Sequence, residues 1–140
     1  MFWDSSALVP LLVSEARSTE MSALLRSDPL PAIWWASPVE CQSALQRRRR
    51  ENVLEAPALA RALERLQRLA EDLDVVAPTL VVREAAGRAP ASHPLRAADA
   101  LQLAAALVWS DGATGEPFVC LDDRLRDAAS REGFDVLPRG

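Results

Sequence analysis

A chain of 140 residues, 49% of them apolar, has the size of one domain and can bury a core without disulfide or metal staples. Its formal net charge of −4 excludes a protein that holds nucleic acid by general basicity, and its longest apolar runs, Ala7 to Val13 and Leu103 to Trp109, are too short to cross a bilayer. Two cysteines, Cys41 and Cys120, without CxxC spacing exclude a zinc cluster or a disulfide framework, and the opening Met1-Phe2-Trp3-Asp4 has no basic leader, so a soluble chain of the reducing cytoplasm is expected.

In chain order, Phe2-Trp3 reads as a very short strand, followed by helices over Ser6–Leu12 and Ser18–Arg26. Asp4 ends that strand. In open α/β sheets ligands bind at this edge, and Asp at a strand-to-helix junction is also a favoured N-cap, so either role explains it. Ala32–Ala36 is the second strand, and a helix follows over Pro38–Glu51. Its start, Ser37-Pro38-Val39-Glu40, matches a capping box, with Ser at the cap and Glu reaching back, which is the alternative to a ligand role for Glu40. The helix closes on Arg47-Arg48-Arg49-Arg50. Cations suit a helix C-terminus, but four in succession exceed what capping needs and can serve a polyanion locally.

The segment Ala56–Leu73 is helical, with Leu59, Leu63, Leu66, Ala70 and Leu73 on one stripe and charged residues off it. Packing on the domain's own core and packing on a second copy fit this stripe equally well. Val75-Val76-Ala77 is the third strand and Thr79–Ala86 a helix, after which Gly87 through Pro94 reads as a surface loop exposing His93, the only histidine. Leu95–Ser110 is a helix apolar nearly all round except at Asp99. Such a helix is buried, and a buried carboxylate is costly unless a cation lies against it, either an arginine such as Arg96 or a metal ion. A loop over Asp111–Pro117 leads to the fourth strand, Phe118–Leu121, which ends on Asp122, another candidate for strand-end ligand or helix cap. Asp123–Glu132 is a helix and Phe134–Leu137 the fifth strand. Short apolar runs alternating with amphipathic ones, without a repeat or linker, describe a single α/β domain.

The order of these pieces carries more than any one of them. Asp4 with Ser5-Ser6-Ala7-Leu8, Glu40 in Ser-Pro-Val-Glu, Asp99 in Leu-Arg-Ala-Ala-Asp-Ala-Leu-Gln-Leu, and Asp122 in Phe-Val-Cys-Leu-Asp-Asp-Arg-Leu resemble the PIN-domain family from end to end of the chain. In length and motif spacing the chain is similar to the VapC-type ribonuclease toxins of toxin–antitoxin pairs. The resemblance implies a three-layer α/β/α fold with a short parallel central sheet, an acidic cluster of Asp4, Glu40, Asp99 and Asp122 holding Mg²⁺ or Mn²⁺, endonuclease action on RNA, homodimers and a cognate antitoxin. In that chemistry Asp4 and Asp99 are the principal ligands, Asp122 ligates a second or shared ion, and Glu40 is a ligand or orients the attacking water, since Mg²⁺ takes oxygen ligands and keeps several waters. Ser6 orients a ligand or a water, or closes a local turn.

Setting those four carboxylates aside leaves the rest of the chain neutral, so the acidic total does not exclude a nuclease. Two positions depart from related sequences, which often have Thr or Ser where Cys120 stands and His where Gln102 stands. The loss of a hydroxyl at Cys120 favours a second class of function, a PIN-fold protein-binding module without catalysis. A receiver-like phospho-acceptor domain is excluded, because the chain contains no lysine to complete its site.

Overall fold

A computed structural model describes all 140 residues. The five apolar runs are strands: β1 (Phe2–Trp3), β2 (Ala32–Trp34), β3 (Asp74–Val76), β4 (Pro117–Val119) and β5 (Asp135–Leu137). They form one all-parallel sheet in the order β3-β2-β1-β4-β5, with Phe2 beside Ala32 on one side and Phe118 on the other. Helices α1 (Ser5–Leu12), α2 (Ser18–Ser27), α3 (Ser37–Arg50) and α4 (Ala56–Glu71) cover one face, and α5 (Leu80–Ser92), α6 (Ala97–Trp109) and α7 (Asp123–Arg131) the other. This is the three-layer α/β/α arrangement expected.

The central strands β1, β2 and β4 read as apolar runs because both faces of the sheet are covered there, while the edge strands β3 and β5 begin on Asp74 and Asp135 and are more exposed. The period of two assigns the side chains: Phe2, Ala32, Trp34 and Phe118 enter the core under α5, α6 and α7, while Trp3, Ile33 and Val119 enter the core under α1 to α4. Phe118 packs between Phe2 and Phe134, with ring centroids 5.4 and 5.5 Å apart. Trp3 is fully buried and satisfies its polar end by donating from Nε1 to Asp28 at 2.8 Å. The alanines of α6, Ala100 and Ala104 to Ala106, are buried and let that helix lie close to the sheet. Chain order reverses at β1, with β2 on one side and β4 on the other, which opens a crevice at the carboxyl edge between β1 and β4.

One alternative left open by the sequence is answered for this domain, and two expectations are corrected. The α4 stripe belongs to this domain's own core: Leu66 and Leu73 are buried, and Leu59 and Leu63 pack against the cluster under α1 to α4. Arg65 ties the same helix to α1 by donating to the Leu12 carbonyl at 3.2 Å. Second, α5 continues to Ser92 through Gly87 and Pro90. Proline forfeits one backbone bond in the last turns, and the burial of Val82 and Ala86 in the core under α5 and α6 outweighs that local penalty. Third, His93 is buried rather than exposed, with Nε2 2.7 Å from Glu132 Oε1. The loop after α6 turns through positive φ at Asp111 and Gly112, as its Asp-Gly pair expects. No helix is long and apolar enough to cross a membrane.

Candidate active site

All four expected acids stand at the carboxyl edge of the sheet or in the first turn of a helix that starts there. Asp4 follows β1 and is 3% exposed. It caps α1 through one oxygen, which leaves the other open to a second role. Oδ2 accepts the Ser6 amide at 2.9 Å, the Ser6 hydroxyl, and the Cys120 thiol at 3.6 Å, and no hydrogen bond falls on Oδ1. Burial pushes its pKa up against the lowering effect of these bonds.

Glu40 does not close a capping box. The cap of α3 is Ala36, without a side-chain bond, and Ser37 is already helical. Gln102 reaches across from α6 and donates from Nε2 to Ser37 Oγ at 3.0 Å and to Glu40 Oε2 at 3.1 Å, while Ser5 Oγ donates to the same carboxylate oxygen at 2.8 Å. These donors hold the Glu40 carboxylate toward the sheet edge. Its pKa is raised by burial first and then by the charges of Asp4 and Asp99, while the Gln102 and Ser5 bonds oppose the rise.

Asp99 is not deep in a buried helix, as its apolar neighbours suggest. It is the acid in the first turn of α6, half-buried, and no ion pair forms at it. The structural ion pair with Arg96 is therefore absent. Partial burial and the charge of Asp122 raise its pKa, and the charges of Arg96 and Arg124 lower it. Asp122, exposed after β4, caps α7 by accepting the Leu125 amide on Oδ1 at 3.0 Å. Asp99, Asp122 and Asp123 line a cleft of about 520 Å³ with Arg96 and Arg124.

The hydroxyl beside Cys120 is that of Ser6. Ser6 Oγ lies 3.7 Å from Cys120 Sγ, accepts the Leu121 amide at 2.9 Å and donates to Asp4. Both thiols stay neutral: burial pushes Cys120 well up and Cys41 up to about 12. The arginine run is not at the site. At 1.5 Å per residue along α3, Arg47 to Arg50 lie roughly 10 to 15 Å from Glu40, toward the opposite edge of the sheet, and Arg48 pairs with Glu15 at 2.9 Å. Arg96 and Arg124 are the cations beside the acids, and sequence reading did not single out either as one of a pair. Nor did it find Arg126, which gathers the strand ends by donating to the carbonyls of Cys120, Leu137 and Pro138 at 2.7, 3.1 and 2.8 Å.

The model of the PIN domain family matches residues 1–130. The chain belongs to the PIN-domain family. No curated protein matches it by sequence at a significant level. Among solved structures, PAE2754 from Pyrobaculum aerophilum is similar at 20% identity and a TM-score of 0.68, over 97% of this chain and 87% of that one. Mycobacterium tuberculosis VapC20, described as a sarcin-ricin loop cleaving toxin, is similar at 21% identity and a TM-score of 0.68, over 91% of this chain and 93% of that one. At such identities the likeness establishes the shared fold.

The donor chemistry of this PIN domain suits a hard divalent cation, since every candidate ligand is a carboxylate and both thiols are protonated. No three His, Cys, Asp or Glu side chains converge on one point. The acids are arranged more loosely, each near enough to raise a neighbour's proton affinity. That arrangement fits Mg²⁺ better than a caged ion, because Mg²⁺ is usually held by one or two carboxylates and keeps several waters.

Proposed function

We propose that this PIN domain is a divalent-metal-dependent endoribonuclease, using Mg²⁺ or Mn²⁺, and that it is the toxin of a toxin–antitoxin pair. The observation that carries the reading is the orientation of Glu40. Helix formation alone has it reach back to its own cap; Ser5 and Gln102 instead turn it toward Asp4 and Asp99, whose charges it meets at a cost that a cation removes.

In this reading Asp4 and Asp99 would hold the ion, and Asp122 would ligate a second or shared one. Glu40 accepts a proton from the attacking water or orients it, which its raised proton affinity favours. A bound divalent ion supplies neutralisation of the phosphoryl oxygens and a more acidic water. Ser6 fixes the rotamer of Asp4 by bonding one carboxylate oxygen. Arg96 and Arg124, free of ion pairs and on the wall of the acidic cleft, take the flanking phosphates. The cognate antitoxin, the homodimer and the cytoplasmic location belong to the same proposal and rest on the family likeness.

The test is RNA cleavage by purified protein. Cleavage is expected with Mg²⁺ or Mn²⁺, and it should end on chelation and in Asp99→Asn. Undiminished cleavage in EDTA overturns the metal assignment, because no Ser-His or Cys-His pair is present at the site to replace it. Intact RNA in every divalent metal favours the protein-binding module without catalysis.

A further inference from the structure

We propose that the hollow between the end of β2 and the start of α5 is a nucleobase subsite, which seats one unstacked base of the RNA next to the cleavage site. The inference rests on the ribonuclease reading and names where that substrate is read. The hollow measures about 240 Å³ and is lined by Trp34, Pro78, Thr79, Leu80, Arg83 and Leu101. At roughly 30 Å³ for each water, that is the room of about eight waters, enough for a single flat heterocycle. It lies at the same edge of the sheet as the acids, since Trp34 ends β2 as Trp3 ends β1 before Asp4, and Leu101 stands two residues after Asp99 on α6.

Three independent features describe the occupant. Trp34 is 4% exposed, yet its buried Nε1–H has no hydrogen-bond partner, an uncommon state for an indole. A base edge entering the hollow offers the missing acceptor once the indole turns toward it. Trp35, the next residue, is 58% exposed, with its ring 6.5 Å from that of Trp34 and steeply inclined to it. Trp35 does not itself line the hollow but offers an exposed π-face next to Trp34, and Leu80 in the lining is likewise exposed at 63%. Arg83 forms no ion pair and lines the same hollow, so a cation is available to the phosphate of the seated nucleotide. Aromatic face, orphan donor and cation together match what single-stranded RNA presents: a π-face, ring acceptors and a phosphate. An apolar peptide uses only the first.

The experiment measures binding of a labelled single-stranded RNA in Ca²⁺, and cleavage kinetics in Mg²⁺, for wild type, Trp35→Ala, Arg83→Gln and Trp34→Phe. Circular dichroism checks that each variant folds, and Trp34→Phe keeps a ring while removing the N–H. Stacking of one base predicts that Trp35→Ala weakens RNA binding about 5- to 150-fold, raising KM while kcat is retained. Arg83→Gln should weaken binding and lower its salt dependence. Trp34→Phe should relax the preference for one base at a single position. An abasic nucleotide at that position should weaken wild-type binding and have no further effect in Trp35→Ala. Wild-type affinity in Trp35→Ala overturns the subsite while leaving the ribonuclease reading intact. So does a loss in Trp35→Ala that persists with the abasic RNA. If Trp35→Ala binds RNA normally but converts a dimer to a monomer in sedimentation, the patch is an interface between copies and the subsite is wrong. If wild type neither binds nor cleaves any RNA, the ribonuclease reading falls and the subsite with it.

Discussion

Replacing Asp99 with Asn separates a metal ligand from a structural charge, because the two roles demand different stability changes. A buried carboxylate paired with arginine costs about 3 to 5 kcal/mol to break, but Asp99 makes no ion pair and is only half-buried. Its position in the first turn of α6 favours a negative charge by about 0.3 to 1 kcal/mol. Against this stand partial burial and the charge of Asp122, and the balance raises its pKa. The ionised group is therefore held at a net cost in metal-free protein, and Asp99→Asn should change stability by no more than about 0.5 kcal/mol, or increase it. With Mg²⁺ at about 100 times its dissociation constant, wild type should gain about 2.7 kcal/mol by mass action and the variant much less. Urea titrations with EDTA and with Mg²⁺ read both numbers. A loss of 3 kcal/mol or more in EDTA refutes the reasoning, even if cleavage is also lost.

The cleft cations make a second prediction: Arg96→Gln with Arg124→Gln should flatten the dependence of log K for single-stranded RNA on log salt by roughly 1.4, at about 0.7 per phosphate contact. The quadruple Gln variant of Arg47 to Arg50, at the far end of α3, should leave that slope unchanged; the reverse pattern moves the RNA to the other edge of the sheet. A third concerns pH in the absence of metal. The native pKa values of Asp4, Glu40 and Asp99 lie above their ordinary values of 3.8 and 4.5, so the native state holds more protons than the unfolded one in that window. Their contribution to stability is therefore lost as pH rises from about 4 toward the raised values. Asp4→Asn keeps a good cap and should gain stability relative to wild type as pH rises through the window; a constant difference in urea titrations at pH 4, 5.5 and 7 counts against the sign. Finally, Leu66→Ala should cost about 2 to 5 kcal/mol, because Leu66 is 3% exposed in the core. Leu63→Glu should likewise destabilise the fold rather than yield a stable monomer, and a folded, undiminished monomer returns the stripe to a dimer contact.

The layers were readable because the patterns behind them are long or doubly constrained. All five strands are only two or three residues long, yet each contains apolar residues with helical sequence beside it, and in β1, β2 and β4 burial on both faces keeps the run apolar without alternation. The α4 stripe was equally plain as a helix, but periodicity reports that a face is covered and not by what. Its partner is decided by α1, whose Leu12 carbonyl receives Arg65. Gly87 and Pro90 misled for a related reason: local penalties of this kind yield to burial of Val82 and Ala86 in the core under α5 and α6, which no window around Pro90 contains. His93 reads as solvent-exposed on the same apparent loop, whereas its partner Glu132 lies 39 residues away.

The acids were readable as a set and not as orientations. Strand-end position marks Asp4 and Asp122 for capping and for ligand binding alike; the structure shows the caps, and since each caps with one carboxylate oxygen the two roles are compatible. Glu40 is the case where the two roles exclude each other. The same side chain cannot bond its own helix start and face Asp4, and the local sequence Ser37-Pro38-Val39-Glu40 favours the first. What overrides it is Gln102, one turn along α6 from Asp99, which occupies Ser37 and Glu40 together. Gln102, at the position where the resemblance leads one to expect a His, is thus the residue that orients Glu40. An amide there donates to a carboxylate without carrying charge, so it orients Glu40 without neutralising it. Gln102→Leu should then release Glu40 from α6, weaken Mn²⁺ binding measured by calorimetry as well as cleavage, and be restored in part by Gln102→His. Unchanged Mn²⁺ affinity in Gln102→Leu would show that Ser5 alone suffices to hold the acid in place.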